Sequence, residues 1–342
     1  MASVSSGNSP SLLQRLGVAS KQPTSKKPDD KPKRKRSFPE IVPTSYTSKE
    51  VDIPESFLTS APPDAKPITT SYIDFTKTTL PEYEGLYAVV LDNVLSPSEC
   101  AQLLRLAELS AGAGDEGVEN NGWRPALVNA GPGVEFKMTE YRNSDRIIWD
   151  STTIAQRIWE RCQQAPGGLK ELRRIDNQPL LQGEWAVKKG DSWKVTRLNE
   201  RLRFLRYGAG QYFRQHCDGP YETPDRKERT FYTLHLYLND SVQLGETEGG
   251  SSKEAAEPLK GGATTFHAPR ASKENERCLD VDPKAGRVLI FQHLRLLHSG
   301  ADVAQGTKYT LRSDLMFERA LADKEDQDER RKSSRGDSRS VE

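Results

Sequence analysis

The sequence contains no run of eighteen apolar residues, which excludes a typical membrane-spanning helix. The first ten residues show no basic stretch followed by an apolar one, so we expect no secretory signal and an intracellular protein, in the nucleus or the cytoplasm. Cysteine is scarce, because only four are scattered along 342 residues and none forms a Cys-x-x-Cys pair. This pattern fits a reducing compartment and argues against a structural zinc site.

Positive charge is concentrated at the N-terminal end of the chain. Residues 1–50 hold ten basic and four acidic side chains, a net charge of +6, so the total of +1 leaves −5 for residues 51–342. A mildly acidic remainder is a poor match for nucleic acid, whose binding proteins carry a basic patch. A compact basic cluster, from Lys31 to Arg36, is typical of segments bound by nuclear import receptors, although a solvated run of charge has the same composition.

The composition divides the chain into three parts. Residues 1–70 are rich in Ser, Pro, Thr and Lys and poor in large apolar residues, which predicts a disordered basic tail. Residues 319–342 carry mixed charge and are predicted to form a second disordered tail. Residues 71–318 between them are expected to form the folded domain.

Two helices and several short strands are predicted within this domain. Ser96 and Glu99 form a capping box that opens a helix ending near Ala111, and a second helix is expected from about Thr152 to Gln163. Alternating or continuous apolar runs predict strands at residues 86–94, 201–207, 232–238, 261–266, 288–292 and 308–317. Long loops are predicted at residues 112–135 and 241–260. Irregularly spaced strands behind N-terminal helices indicate an α+β, mainly β fold, either a β-sandwich or a jelly roll.

A short extended segment carries two residues that are able to bind a metal. His216 and Asp218 are two positions apart, so their side chains point the same way from a strand, whereas Cys217 points the opposite way and is expected to pack. Such a pair also arises by chance, but here a glycine-containing turn precedes it. His298, at the end of an apolar strand, would complete two imidazoles and one carboxylate. This facial set binds Fe(II) and leaves positions open for a cosubstrate and oxygen.

Two cations follow His298 where an anionic cosubstrate would need a partner. Lys308 lies ten residues after His298, and Arg312 lies on the same face of the predicted strand. Arg offers a bidentate fork and Lys a point charge, so either side chain is able to pair with a carboxylate.

Other polar residues near these segments allow more than one interpretation. Arg142 and Asn143, after the first long loop, are candidates for a pocket rim, although Asn143 fits a loop-to-helix junction equally well. His235 and His293 lie in predicted strands and are expected in the core or at a rim, because a set with two imidazoles needs no further histidine. His267 is left over for the same reason.

Taken together, these segments resemble the iron- and 2-oxoglutarate-dependent dioxygenases, and among them the prolyl 4-hydroxylase-like catalytic domain. The resemblance covers roughly residues 85–318. It depends on six elements in the family's order, at residues 89–100, 207–218, 229–239, 261–266, 283–291 and 298–308. The fourth element reads Gly261-Gly-Ala-Thr-Thr-Phe266, and the fifth ends in Gly286-Arg-Val-Leu-Ile-Phe291.

The resemblance implies a double-stranded β-helix, or jelly-roll, core with supporting N-terminal helices. It implies that His216, Asp218 and His298 bind Fe(II) at the catalytic centre. It also implies that Lys308 pairs with the far carboxylate of 2-oxoglutarate, with Arg312 as the competing candidate.

Two tyrosines complete the residues that the resemblance singles out. Tyr207 and Tyr237 stand where family tyrosines lend hydroxyl groups to the cosubstrate, although positions in an aromatic core explain them nearly as well. Gln215 stands where many relatives have Pro, a departure that affects no ligand.

The resemblance further implies the cofactors and the reaction. Fe(II), 2-oxoglutarate, O2 and L-ascorbate would serve a dioxygenase that hydroxylates a C–H bond, most readily of a protein side chain such as proline, and releases succinate and CO2. A small-molecule oxygenase with the same mechanism, or a non-catalytic binding module, is the alternative. The partners would be the substrate and an import receptor at the basic cluster, with no membrane and no nucleic acid.

Overall fold

The computed structural model describes residues 41–43, 46–113, 115–117, 119–131, 134–242, 257–269 and 276–320. The basic cluster from Lys31 to Arg36, most of the predicted loop at 241–260 and residues 321–342 of the predicted C-terminal tail lie outside this part of the chain. Within it, no helix is both long and apolar enough to cross a membrane.

Helices occupy a small share of the described residues. The α-helices are α1 (Pro97–Ser110), α2 (Thr152–Gln163), α3 (Lys170–Arg173), α4 (Pro179–Gln182) and α5 (Glu184–Lys189). Short 3-10 helices occur at Phe75–Lys77, Pro81–Tyr83 and Glu119–Gly122. The predicted capping box at the start of α1 is confirmed, because the Ser96 hydroxyl accepts from the Glu99 backbone N–H and the Glu99 carboxylate accepts from the Ser96 backbone N–H.

Strands make up most of the regular structure. In chain order they are β1 (Ile41–Pro43), β2 (Thr69–Tyr72), β3 (Ala88–Asp92), β4 (Arg124–Pro125), β5 (Val128–Gly131), β6 (Val134–Phe136), β7 (Arg142–Asn143), β8 (Asp145–Asp150), β9 (Arg174–Ile175), β10 (Trp193–Leu198), β11 (Arg201–Tyr207), β12 (Tyr212–His216), β13 (Glu228–Tyr237), β14 (Ser241–Val242), β15 (Leu259–Gly261), β16 (Thr264–His267), β17 (Cys278–Val281), β18 (Val288–Gln292), β19 (His298–Gly300), β20 (Val303–Gln305) and β21 (Lys308–Arg319). The predicted loop at 112–135 therefore contains a 3-10 helix and three short strands.

Two antiparallel sheets form the centre of the fold. The larger sheet has the order β2-β3-β18-β13-β21-β11-β8-β4, with β10 paired to β21 and β9 paired to β10. The smaller sheet has the order β17-β16-β19-β12-β7. From β11 onwards the chain passes repeatedly between these sheets: β11, β13, β18 and β21 belong to the larger one, and β12, β16, β17 and β19 to the smaller one. This alternation of eight antiparallel strands is a jelly roll, and the predicted fold class is confirmed.

The central strands of the larger sheet have one apolar face and one mixed face. On β13, Leu234 and Leu236 are fully buried in the core that the sheet shares with α1 and α2. Thr233, His235 and Tyr237 point to the opposite face, because strand side chains alternate. Burying the apolar face under the helices stabilises the sheet by about 1.5–3 kcal/mol for each large aliphatic side chain. The other face is left free to carry polar groups between the two sheets.

The predicted N-terminal tail is wrong in its second half, because residues 46–70 are part of the folded structure. Phe57 and Leu58 are 4% and 3% exposed and belong to the core under the larger sheet. Arg161 of α2 donates to the backbone carbonyls of Leu58 and Ser60 at 3.0 and 2.9 Å and pairs with the buried Glu99 of α1 at 2.8 Å. Arg157 of α2 also donates to the carbonyls of Pro54 and Phe57, so buried apolar side chains and two arginines hold this polar segment against the helices.

Replacing Phe57 by Ala is expected to lower the free energy of unfolding by about 3–5 kcal/mol, because the change removes a buried aromatic ring and leaves a cavity. Urea denaturation would measure the difference. The matched control is Ser56→Ala, at an exposed neighbouring position, which should change stability by less than about 0.5 kcal/mol. Equal stability of Phe57→Ala and the wild type would mean that the segment does not pack as described.

Candidate metal centre

Three potential ligands meet at the paired ends of two strands in the smaller sheet. β12 ends at His216 and β19 begins at His298, and the two residues are direct partners in the antiparallel register. Asp218 follows β12 by two residues and is 5% exposed. One donor atom from each residue can be chosen so that all three lie within 4.8 Å of one another. The predicted pair and the predicted third ligand are therefore brought together, although they are eighty residues apart in sequence.

Both histidines are oriented by the backbone. The Nδ1 atoms of His216 and His298 lie 2.8 and 3.0 Å from the carbonyl oxygens of Arg214 and Leu296. We therefore assign the proton to Nδ1, which leaves the Nε2 lone pair for a metal. The two Nε2 atoms lie 3.8 and 3.7 Å from the Asp218 carboxylate. Burial lowers the pKa of both histidines, which favours the neutral form that a metal requires.

The Asp218 carboxylate is held by two further side chains. Nη2 of Arg312 lies 2.9 Å from one oxygen, and the Thr233 hydroxyl donates to the other. Burial alone would raise the pKa of Asp218, but Arg312 and the two histidines outweigh it and hold the pKa well below its usual range. Two neutral imidazoles and one ionised carboxylate are the donor set that suits Fe(II), so the residues fit the metal that the sequence predicts.

Arg312 is part of a buried series of charges with alternating sign. Its guanidinium also lies 3.4 Å from Asp314, which in turn accepts from Arg203 at 3.1 Å. His293 lies 3.4 Å from the same Asp314 carboxylate. Arg312 is thus neutralised by two carboxylates.

The electrostatic environment of Lys308 differs from that of Arg312. It is 2% exposed, and within the described part of the chain no carboxylate pairs with its ammonium group. Its Nζ lies 5.3 and 5.7 Å from the ring centroids of Tyr207 and Tyr237. Burial lowers the pKa of Lys308 to about 7. A Cβ at Gly262 would come within 3.0 Å of the lysine stem, so this glycine makes room for it.

One cavity connects the three potential ligands with Lys308. Its lining also includes side chains from both sheets: Arg142, Leu205, Tyr207, Phe213, Thr233, His235, Thr264, Phe291, Ser299 and Arg312. The free space is about 40 Å³, so a dicarboxylate enters only when long lining side chains move. Arg142, Lys308 and Arg312 are the long cationic side chains among them.

The two tyrosines differ in their relation to this cavity. Tyr207 lines it, as the sequence predicts for a cosubstrate contact. The hydroxyl of Tyr237 instead hydrogen bonds with the Thr264 hydroxyl at 2.6 Å and the Val281 carbonyl at 3.2 Å. Only the ring of Tyr237 is directed toward Lys308. A contact between the Tyr237 hydroxyl and the cosubstrate would therefore compete with the hydrogen bonds that this hydroxyl makes to Thr264 and Val281.

Of the two residues proposed for the pocket rim, Arg142 lines the cavity and Asn143 does not. The Arg142 guanidinium lies 4.6 Å from the centre of the Phe213 ring, and Phe213 stacks on His216 at 3.7 Å. Asn143 pairs with Tyr212 in the sheet. Cys217 follows the end of β12 and is not among the three clustered residues.

Thr233 and His235 were missed as site residues by the sequence analysis. They lie on the same face of β13 and reach the cavity from the larger sheet. His235 was expected in the core or at a rim, and the structure shows it among the cavity-lining residues. The alternation that places Thr233, His235 and Tyr237 on one face was the available signal, but the sequence does not show which face is turned toward His216.

Asp218→Asn and His298→Ala are each expected to weaken Fe(II) binding at least about a hundredfold, because changes even in residues around metal ligands cost tenfold to a hundredfold. Anaerobic calorimetry with Fe(II) would measure the affinities. His267→Gln is the matched control, since His267 is buried, bonds with Ser299 at 2.7 Å and lies outside the cluster. Wild-type affinity in Asp218→Asn would rule out this cluster as the metal site.

The comparisons with known proteins agree with this chemistry. Residues 202–313 match the family model described as the 2OG-Fe(II) oxygenase superfamily, and this range includes the three potential ligands and Lys308. No curated protein matches the chain. The matched family uses Fe(II), 2-oxoglutarate and O2, whereas L-ascorbate stays a prediction.

Several solved structures are distantly similar to this one. A viral collagen prolyl hydroxylase from Paramecium Bursaria Chlorella virus-1 is 19% identical, with 69% of this chain and 97% of that chain covered and a TM-score of 0.35. A Pseudomonas putida prolyl-4-hydroxylase is 15% identical, with 72% and 100% covered and a TM-score of 0.37. A Trichoplax adhaerens prolyl hydroxylase in complex with a hypoxia inducible factor peptide fragment is 13% identical, with 67% and 82% covered and a TM-score of 0.39.

The assignment therefore depends on the matched segment. That segment contains six of the eight jelly-roll strands in full, and it contains every residue that the sequence analysis proposed for metal and cosubstrate binding. The predicted resemblance is confirmed for residues 202–313, which match the 2OG-Fe(II) oxygenase superfamily, and this match supports a hydroxylating dioxygenase that uses Fe(II) and 2-oxoglutarate.

Proposed function

We propose that this dioxygenase hydroxylates a protein side chain, with proline as the preferred residue. The observation that carries the proposal is the cavity in which His216, Asp218 and His298 lie together with Lys308, whose ammonium group meets no carboxylate among the described residues. These four residues account for a metal and an anionic cosubstrate in one space. The remaining side of the cavity is then available to the substrate.

His216, Asp218 and His298 would hold the metal. Bound Fe(II) would supply the oxidation with O2 as the oxidant: one oxygen atom enters 2-oxoglutarate, which breaks down to succinate and CO2, and the other is inserted into a substrate C–H bond to give an alcohol. The contribution of the protein is orientation. Thr233 and Arg312 fix the Asp218 carboxylate, and the backbone fixes both imidazole rings.

Lys308 would pair with the far carboxylate of 2-oxoglutarate. A buried ammonium group without an anion is unfavourable, and an incoming carboxylate removes this cost. Arg312 is a weaker candidate, because it already pairs with Asp218 and Asp314. Tyr207, which lines the cavity beside Lys308, is placed to contact the same part of the cosubstrate.

A slender substrate group fits the access to the metal ligands. The side chains of His216, Asp218 and His298 are only 11%, 3% and 7% exposed, so a bulky molecule does not reach them. A side chain that projects from a polypeptide does reach such a recess. Tyr141 and Phe213 provide an apolar wall beside His216, which suits an uncharged ring such as that of proline.

Lys308→Ala is expected to weaken 2-oxoglutarate binding about tenfold to a hundredfold, the range for a hydrogen bond to a charged group. The wild-type affinity should also fall as the pH rises above 7, because the carboxylate binds the protonated lysine and burial lowers the pKa of Lys308 to about 7. An anaerobic titration of the Fe(II)-loaded protein, followed through the visible charge-transfer band of the 2-oxoglutarate complex, would measure both effects.

Two control variants test whether Lys308 or Arg312 binds the cosubstrate. Lys308→Arg should bind 2-oxoglutarate with little pH dependence between pH 6.5 and 8.5, because a guanidinium stays protonated throughout. Arg312→Ala should change the Fe(II) affinity more than the 2-oxoglutarate affinity at saturating Fe(II). The anchor would be Arg312 instead if this variant lost 2-oxoglutarate while Lys308→Ala retained it.

The substrate class is tested with two peptide pools, one of random proline-containing peptides and one in which every proline is replaced by alanine. We expect a mass increase of one oxygen atom in the proline pool alone, together with succinate formation. His216→Ala should produce neither. Hydroxylation of free amino acids, with both pools left unmodified, would favour the small-molecule oxygenase.

A further inference from the structure

His235 is the third histidine at the cavity, and the mechanism described above does not use it. It lies on the inward face of β13, where Arg312 of β21 and Leu289 of β18 are its neighbours in register. It is not one of the three residues that cluster for a metal. Its ring nevertheless lines the same cavity as Lys308.

The imidazole of His235 has an unused hydrogen-bonding group. Its Nε2 is buried and has no hydrogen-bond partner among the described residues. His216 and His298, the other two histidines that line the cavity, bond through Nδ1 to backbone carbonyls. Nδ1 of His267 and both ring nitrogens of His293 are also buried without a hydrogen-bond partner among the described residues, but neither of these rings lines the cavity. A buried polar nitrogen without a partner costs free energy unless a ligand satisfies it.

His235 and Lys308 both lie against the ring of Tyr237. The ring centroid of His235 lies 4.9 Å from that of Tyr237, and the ammonium of Lys308 lies 5.7 Å from the same Tyr237 centroid. Both residues also line one cavity, so His235 belongs to the wall against which the far carboxylate of the cosubstrate would bind. A carboxylate accepts several hydrogen bonds, so one lysine does not saturate it.

The charges around His235 fit a neutral donor. Burial lowers its pKa, and the nearby Lys308 and Arg312 lower it further, while the Asp218 charge acts in the opposite direction. A neutral imidazole has one N–H group and is able to donate it to an anion without adding a positive charge to a region that already contains two cations.

We propose that His235 is a second cosubstrate-binding residue, whose imidazole N–H donates a hydrogen bond to the carboxylate that pairs with Lys308. This inference depends on the proposed role of Lys308. It assigns different tasks to the two residues: Lys308 supplies charge, and His235 supplies a directional bond from the neighbouring strand.

The test compares His235→Leu and His235→Gln with the wild type in the anaerobic charge-transfer titration. His235→Leu removes the donor and should weaken 2-oxoglutarate binding about tenfold to a hundredfold. His235→Gln retains an N–H donor and should stay within a few-fold of the wild type. The inference is overturned if His235→Leu binds 2-oxoglutarate as tightly as the wild type.

A second probe distinguishes a specific bond from a general disturbance of the cavity. 2-Oxobutanoate retains the 2-oxo acid group but lacks the far carboxylate, so its binding should be the same in His235→Leu and the wild type. An equal loss with both probes would show a structural defect and would contradict the inference. Fe(II) affinity without cosubstrate should be unchanged in the variant.

The same data separate this inference from the proposed function. If Lys308→Ala loses affinity and His235→Leu does not, only the role of His235 is wrong. If the iron-loaded wild type shows no 2-oxoglutarate binding, the proposed cosubstrate site and the role of His235 both fail.

Discussion

Compensation of buried charge organises the space between the two sheets. Asp218, Arg312, Asp314 and Arg203 follow one another with alternating sign at separations of 2.9, 3.4 and 3.1 Å. Each charge in this series is offset by a neighbour, which is the condition for keeping ionised groups away from water. Lys308 lies on the same face of β21 but outside the series. Among the described residues its charge has no carboxylate partner, which is why we propose that it binds an anion, whereas Arg312 within the series fixes the potential metal ligand Asp218.

The sequence predicted the parts of the site that depend on short-range spacing. The spacing of His216 and Asp218 indicated a metal-binding pair, and His298 and Lys308 followed from their places around later strands, while the resemblance assigned the roles of all four residues. The choice between Lys308 and Arg312 was beyond the sequence, because both residues lie on one face of one strand. It depends on which of them meets a carboxylate, and Asp218 lies just beyond the end of β12, a strand of the other sheet.

The fold was predicted well where apolar periodicity is strong and poorly where it is weak. α2 has the predicted bounds and β11 the predicted strand, since both carry regular patterns. The segment before residue 70 looked disordered because it contains few apolar residues. Phe57 and Leu58 nevertheless find a buried position, and Arg161 satisfies the backbone carbonyls around them. Composition averages over a window and does not detect two well-placed side chains.

The hydrogen bond between Tyr237 and Thr264 joins β13 of the larger sheet to β16 of the smaller one. It crosses the sandwich beside Lys308 and so fixes the separation of the sheets at the end where the cosubstrate would lie. The two layers are thus unable to separate there as rigid bodies without breaking a buried bond. Different substrates would therefore be accommodated by side-chain rotation and by the loops, while the distance between the two sheets stays constant at this end.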